Sequence, residues 1–234
     1  MSQDQHFMID KDLLKEVAEA ADILPTDRIL EIGSGHGELT RLLCKKASVI
    51  AVELDKELVK AFPPLESVKL VEGNVLKIWN LHRFNKAVGN IPYAISEPLL
   101  WLILKTSLER VALVIGKDFA DILFGNSKLG ILAKEFYDVE LIKAIPKKAF
   151  FPHPRVDSAL ILMKPKKPTN PLLRELVLQS DKKIKNALEK ALESNYTQRE
   201  VKEKLKPLEP LASEKITQLS NEEFAKLIQF LSKL

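Results

Sequence analysis

The chain has 234 residues, 46% hydrophobic and 29% charged, an ordinary globular balance with room for one α/β domain plus a smaller appendage and no apolar run long enough to span a bilayer. A single cysteine, Cys44, excludes an internal disulfide, and the N-terminal residues lack the apolar core of a signal peptide, so a soluble protein of the reducing cytoplasm is expected. The net charge of +4 and a pI near 8.9 lean toward a polyanionic partner without requiring one.

Taken in chain order, residues 12–22 carry Leu13, Leu14, Val17 and Ala21 on one helical face, with Pro25 as the stop. Strands and helices then alternate: strand 28–32, helix 37–46, strand 49–54, helix 56–61 and strand 68–72. A strand at 86–89, a helix at 97–105, a strand at 111–115 and helical stretches around Phe119 and at 129–136 continue the βαβ rhythm of a parallel sheet. Segments 139–145 and 158–163 are joined by a proline-rich loop, which predicts an antiparallel hairpin closing the sheet edge. Lys164 to Pro171 reads as a linker, dividing a catalytic unit at 1–166 from a small all-helical unit at 167–234. The helical apolar spacing in the latter runs through Leu172, Leu173, Leu176 and Val177, then Ile184, Leu188 and Leu192, and last Phe224, Leu227, Ile228 and Leu231.

Leu30 to Gly37 (LEIGSGHG) ends a strand and opens a helix, where glycines let the backbone turn tightly and approach a nucleotide-like ligand; a plain tight βα connection is the alternative. Glu53, twenty residues past Gly33 at the next strand end, is placed to accept hydrogen bonds from two ribose hydroxyls. Glu31, directly before the glycines, would repel a pyrophosphate and suits a cationic amino-acid group. Together the two acids favour S-adenosylmethionine over NAD or FAD. Asn74, after the third strand, either bonds the cofactor adenine or takes a turn conformation beside Gly73.

Gly89-Asn90-Ile91-Pro92-Tyr93 follows the fourth strand at the same edge of the sheet. An exocyclic adenine amine is a poor nucleophile because its lone pair is delocalised into the ring, so acceptors for its protons are needed to favour a pyramidal nitrogen. The Asn90 side-chain oxygen and the Ile91 carbonyl supply them, Pro92 stiffens the turn, and Tyr93 stacks on the base or else simply packs. In the hairpin loop, Phe150 and Phe151, braced by Pro152 and Pro154, either form a second wall of a base pocket or plug the loop against the core. His153 has no partner at metal-ligand spacing, and no metal is expected. Lysines 164, 166 and 167 and lysines 182, 183 and 185 grip phosphates or are solvated helix faces.

These motifs resemble, in order and spacing, those of the ribosomal RNA adenine dimethyltransferases, the small-subunit dimethyladenosine transferase family. Gln5-His6-Phe7-Met8, EIGSGHG, Val52-Glu53-Leu54-Asp55, GNIPY and FFPHPRVDSAL carry the likeness from about Gln5 to Lys164. The resemblance implies a Rossmann-like S-adenosylmethionine-dependent methyltransferase sheet with a small helical C-terminal domain. It further implies cofactor contacts from His6, Met8, Gly33, Glu53, Asn74 and Asn90, and a catalytic set of Asn90, Ile91, Pro92, Tyr93 and Phe150, with Phe150 stacking on the target base and Phe151 at a variable position. The implied reaction adds two methyls to each of two adjacent adenosines in a hairpin near the 3′ end of small-subunit rRNA, within an immature ribosomal subunit. Lys182 to Leu188 resembles the basic helix that opens the family's C-terminal domain.

Several positions depart from the pattern. Asp4 replaces a glycine, Asn74 an aspartate, and Ala94 a Gln or Asn, while Gly116-Lys117-Asp118 stands for Gln-Lys-Glu. A monomer is expected. Two other readings stay open on the same fold: a non-catalytic RNA-binding assembly factor, favoured by Asn74 and Ala94, and a large-subunit rRNA adenine methyltransferase.

Overall fold

A computed structural model of the chain describes residues 5–77, 83–166 and 170–234. Asp4, Lys167 and the expected boundary near residue 167 lie outside the described residues. Helix α1 (Lys11–Ala20) follows a short strand β1 (Phe7–Met8), and the Asp10 carboxylate caps its first turn by accepting from the Asp12 and Leu13 amides. It ends at Ala21 and at Asp22, which adopts a left-handed φ of 49°, so the chain leaves the helix before Pro25 is reached.

Seven strands form the main sheet: β2 (Arg28–Ile32), β3 (Ser48–Glu53), β4 (Val68–Glu72), β5 (Lys86–Asn90), β6 (Arg110–Gly116), β7 (Tyr137–Ile145) and, after the two-residue β8 (Phe150–Phe151), β9 (Ser158–Pro165). Their order is β4-β3-β2-β5-β6-β9-β7. The pairs from β4 through β6 are parallel, and β9 runs antiparallel to both β6 and β7. The predicted hairpin therefore closes one edge as expected, with its second strand inserted between β6 and its first.

Order reverses between β2 and β5, and a crevice opens beyond the carboxyl ends of such neighbours. The apolar strands bury both faces, as parallel sheets require. Along β6, Val111, Leu113 and Ile115 face one core while Ala112 and Val114 face the other. The second core is completed by α1 and by α2 (Thr40–Leu43), the one regular helical piece of the predicted span 37–46; the glycine turn uses up the residues before it.

The first core takes in α4 (Ser96–Leu104), α5 (Lys117–Phe124) and α6 (Lys128–Phe136). On the flank of the sheet, α3 (Lys56–Ala61) starts at Asp55, whose carboxylate accepts from the Glu57 amide. The C-terminal helices α7 (Pro171–Leu178), α8 (Ile184–Leu192), α9 (Gln198–Leu205) and α10 (Asn221–Leu231) bury Leu173, Leu188, Phe224 and Leu227 in that same first core, so the apolar interior runs unbroken from sheet to tail. Lys128 clasps the two parts: its Nζ donates to the Thr217 and Leu219 carbonyls at 2.7 Å each, and its amide donates to Asn221 Oδ1 at 2.8 Å. Burial of that amine holds its pKa below the usual lysine range.

Candidate active site

A cavity of about 250 Å3 opens at the point where the strand order reverses, lined by the ends of β2, β3 and β5, the residues after β4, and the N-terminal Gln5, His6 and Phe7. Its floor is the glycine turn. Gly33, Gly35 and Gly37 all take positive φ (71°, 56° and 87°), where other residues are strained, and a Cβ on Gly35 would sit 3.2 Å from the Phe7 ring. Glu53, 7% exposed, is held against this turn: its Oε2 accepts from the Gly35 amide at 2.9 Å, and its Oε1 accepts from the Leu54 and Asp55 amides at 2.8 and 2.9 Å. The acid is thus fixed in one orientation at the cavity wall. Gln5 Nε2 donates to Asp55 Oδ2 at 3.1 Å and draws the N-terminal segment over the same corner.

Asn90 is oriented by a long-range bond. Its Nδ2 donates to the His6 carbonyl at 2.9 Å, which leaves Oδ1 as the acceptor turned to other partners. Ile91 donates its amide to the Val114 carbonyl at 3.1 Å, so the turn after β5 is pinned to β6. Tyr93 lies half-buried with its hydroxyl 2.7 Å from Ser158 Oγ, and its ring lies across Gly116, where an added Cβ would come within 3.2 Å of two ring carbons. Gly116 and Ser158 are register partners on β6 and β9, so one pair of residues supplies both the floor and the tether of this ring. The His6 ring stands 6.0 Å from that of Tyr93.

Of the expected site residues, His6, Gly33, Glu53, Asn74, Asn90, Ile91, Pro92 and Tyr93 line the cavity together. Asn74 spends its Oδ1 on the Leu76 amide at 2.9 Å, a local turn bond, which presents its Nδ2 rather than a free oxygen as the remaining group. Met8 and Phe150 are elsewhere. They are register partners in the antiparallel β1–β8 ribbon, and both are buried in the second core, 5% and 1% exposed. Phe150 therefore forms no wall opposite Tyr93 in this conformation: strand alternation sends it inward with Met8 and sends Phe151 out to 66% exposure. The apolar walls contributed by Ile32, Val52, Leu54 and Val75 had no signal beyond their place near strand ends, and Leu58 of α3 had none. Among the basic clusters, Lys164 pairs with Glu140 at 3.0 Å and Lys185 with Glu189 at 3.8 Å, while Lys182 and Lys183 are exposed.

Glu31 lies outside the cavity lining, 1% exposed, and neither its carboxylate oxygens nor Ser34 Oγ nor Thr40 Oγ1 has a well-formed hydrogen bond among the described residues. Burial pushes its pKa up to about 8; the nearby Thr40 hydroxyl pulls the other way, and the Glu38 and Glu53 carboxylates add to the rise. A raised carboxyl contributes stability that is fully present below its unfolded pKa of about 4.3 and is lost as pH rises through the folded value. Glu31→Gln should therefore gain stability over the parent across pH 5 to 8, by on the order of a few kcal/mol at the top of that range, read as a widening gap between urea midpoints. Equal pH slopes for the two proteins would refute it.

A mostly parallel sheet with a glycine turn, an acid at the next strand end and an Asn-Ile-Pro-Tyr turn after β5 defines a methyltransferase of the Rossmann-like class. The chain belongs to the ribosomal RNA adenine dimethylase family, whose model matches residues 1–233. Among its relatives, the "Probable ribosomal RNA small subunit methyltransferase A" of Thermococcus sibiricus is 34% identical, over 97% of this chain and 90% of its own. The protein of the same name from Pyrococcus abyssi is 35% identical, over 80% and 73%. Among solved structures, a dimethyladenosine transferase from Plasmodium falciparum superposes with a TM-score of 0.70 at 26% identity, covering 97% of this chain and 98% of that one. The 23S rRNA methyltransferase ErmE shares the fold, with a TM-score of 0.64 at 24% identity over 97% and 99% of the two chains. The protein is accordingly a methyltransferase, and family and fold imply S-adenosylmethionine as the methyl donor. Among the described residues no helix is long and apolar enough to cross a membrane.

Proposed function

We propose that this protein dimethylates the 6-amino groups of two adjacent adenosines in a hairpin near the 3′ end of small-subunit rRNA, inside an immature ribosomal subunit in the cytoplasm. The observation that carries the reading is the Asn90 amide: its nitrogen is committed to the His6 carbonyl, so its oxygen is left to accept a proton of an incoming amine. The Ile91 carbonyl accepts the second, and the Tyr93 ring, tethered through Ser158, stacks on the extruded base.

The residues present fit S-adenosylmethionine: an immobilised Glu53 for the ribose hydroxyls, a glycine floor that admits close backbone approach, and apolar walls for the adenine. When bound, the cofactor supplies a methyl group on a positively charged sulfur. Asn74 would offer the cofactor adenine its amide nitrogen, since its oxygen holds the Leu76 turn. Residues 167–234 serve as the ribosome-contacting unit, and Phe150 acts as the buried anchor of the β8 loop.

The test is methylation of immature small subunits by the purified protein, followed by mass spectrometry of the rRNA nucleosides. Dimethyladenosine confined to small-subunit rRNA supports the proposal. Its appearance only in large-subunit rRNA, or no transfer at all, would overturn it.

A further inference from the structure

We propose that the loop around β8 is a docking surface for single-stranded RNA beside the target adenosine, with Phe151 as its stacking platform and Lys147, Lys148 and Arg155 as its phosphate contacts. The inference rests on the RNA substrate proposed above and adds the surface that would hold it. Phe151 is the most exposed large hydrophobic side chain described, at 66%. It sits opposite Phe7 in the β1–β8 ribbon, and Ile9, 57% exposed, continues that strand, its amide donating a hydrogen bond to the Ala149 carbonyl at 2.9 Å. A solvated Phe beside a second apolar side chain is a costly surface to leave uncovered, and a nucleobase fits it because every base has an apolar face.

The charge around it has the matching sign. Lys147, Lys148 and Arg155 are exposed, and none makes an ion pair among the described residues, whereas Lys143, one strand away, is neutralised by Glu16 at 2.6 Å. The loop's one acid, Asp157, uses Oδ1 to accept from the Lys147 amide at 2.9 Å. Position and rigidity complete the case. The loop borders the cavity mouth, since the Pro152 carbonyl lies 2.9 Å from His6 Nδ1 and His6 lines the cavity. Buried Phe150 plugs it into the core, and Asp157 also accepts through its backbone carbonyl from the Lys117 amide at 2.9 Å. A preorganised platform loses little entropy on binding.

The probe is a fluorescein-labelled RNA hairpin with two adjacent adenosines in its loop, titrated by anisotropy with the full chain, a loopless RNA duplex serving as control. Phe151→Ala is expected to weaken hairpin binding roughly tenfold, with cofactor affinity unchanged and Phe151→Trp restoring binding. Lys147→Ser with Lys148→Ser is expected to flatten the salt dependence of hairpin affinity. Hairpin binding unaltered in Phe151→Ala would overturn the proposal, as would a loss seen only with ribosomal particles and not with naked RNA, which would mark a protein partner. If the parent methylates immature subunits while Phe151→Ala binds the hairpin normally, this inference fails and the proposed function stands.

Discussion

Asn90→Ala is expected to slow methyl transfer to immature small subunits by roughly 10²–10³-fold, the range seen when one preorganised polar group aimed at developing charge is removed. In the proposed reaction positive charge grows on the attacking nitrogen, and the Asn90 oxygen would meet it, since the Asn90 nitrogen is held by the His6 carbonyl at 2.9 Å. Asn90→Asp keeps an acceptor but sets a carboxylate against that carbonyl, so it should retain more activity than alanine and less than the parent. Single-turnover transfer of a tritiated methyl group reads both. Cofactor affinity, measured by calorimetry, should change far less than the transfer rate, and a near-normal rate in Asn90→Ala would sink the assigned role.

The largest stability effect is expected far from the cavity, at the buried Asp27–Lys86 pair. Asp27 Oδ2 lies 2.7 Å from Lys86 Nζ with side chains only 3% and 7% exposed, and the same oxygen accepts from the Leu24 amide at 2.7 Å. Asp27 Oδ1 accepts from Asn85 Nδ2 at 2.6 Å, and Lys86 also donates to the Asp22 carbonyl. This network ties the start of β2 and β5 to the turn after α1. Asp27→Ala leaves the ammonium buried without its counter-charge and should cost about 3–5 kcal/mol, a large share of a typical total of roughly 5–15 kcal/mol. Urea unfolding at pH 7 measures it. Adding Lys86→Met to Asp27→Ala should recover much of the loss, because the stranded charge is removed.

The same pair sets an acid limit. Burial alone would raise the Asp27 pKa, but the Lys86 hydrogen bond, the Leu24 amide, Asn85 and the Lys86 charge together outweigh it and hold it below the usual range. A depressed carboxylate contributes stability present above its unfolded pKa, about 3.9, and lost as pH falls through the lower folded value. The parent should therefore lose its advantage over Asp27→Ala in that acidic window.

Much of the sheet was legible because its parallel strands are short, largely apolar runs closed by turn or acidic residues, as at Gly33, Glu53, Gly73-Asn74 and Asn90, and those endings mark the edge where a ligand sits. The chemistry of the cavity was legible for a related reason. Gly33 follows β2 while Glu53 and Asn90 end β3 and β5, and parallel neighbours bring their carboxyl ends together whatever else the chain does. The β1–β8 ribbon was not legible. Two-residue strands have no periodicity to detect, and Gln5, His6 and Phe7 reach the cavity through partners distant in sequence: the β8 loop, Asp55 and Asn90.

Two phenylalanines in succession show where the division falls. That the loop would carry aromatics, as a base-pocket wall or as a plug against the core, followed from Phe150-Phe151 ahead of Pro152 and Pro154. Which of them is buried depended on register, since strand alternation makes one face the core and the other the solvent, and only pairing with Phe7 and Met8 selects Phe150 as the inward one. The amide of Asn90 and the oxygen of Asn74 follow the same logic. Residue type supplied the donors and acceptors, and distant partners decided which of them remained free. By itself the sequence determined the class of fold, the family and the chemical inventory of the site, because these rest on local spacing. Only the tertiary structure decided burial, side-chain orientation and the upward push on the Glu31 pKa, because those depend on surroundings that the fold brings together from across the chain.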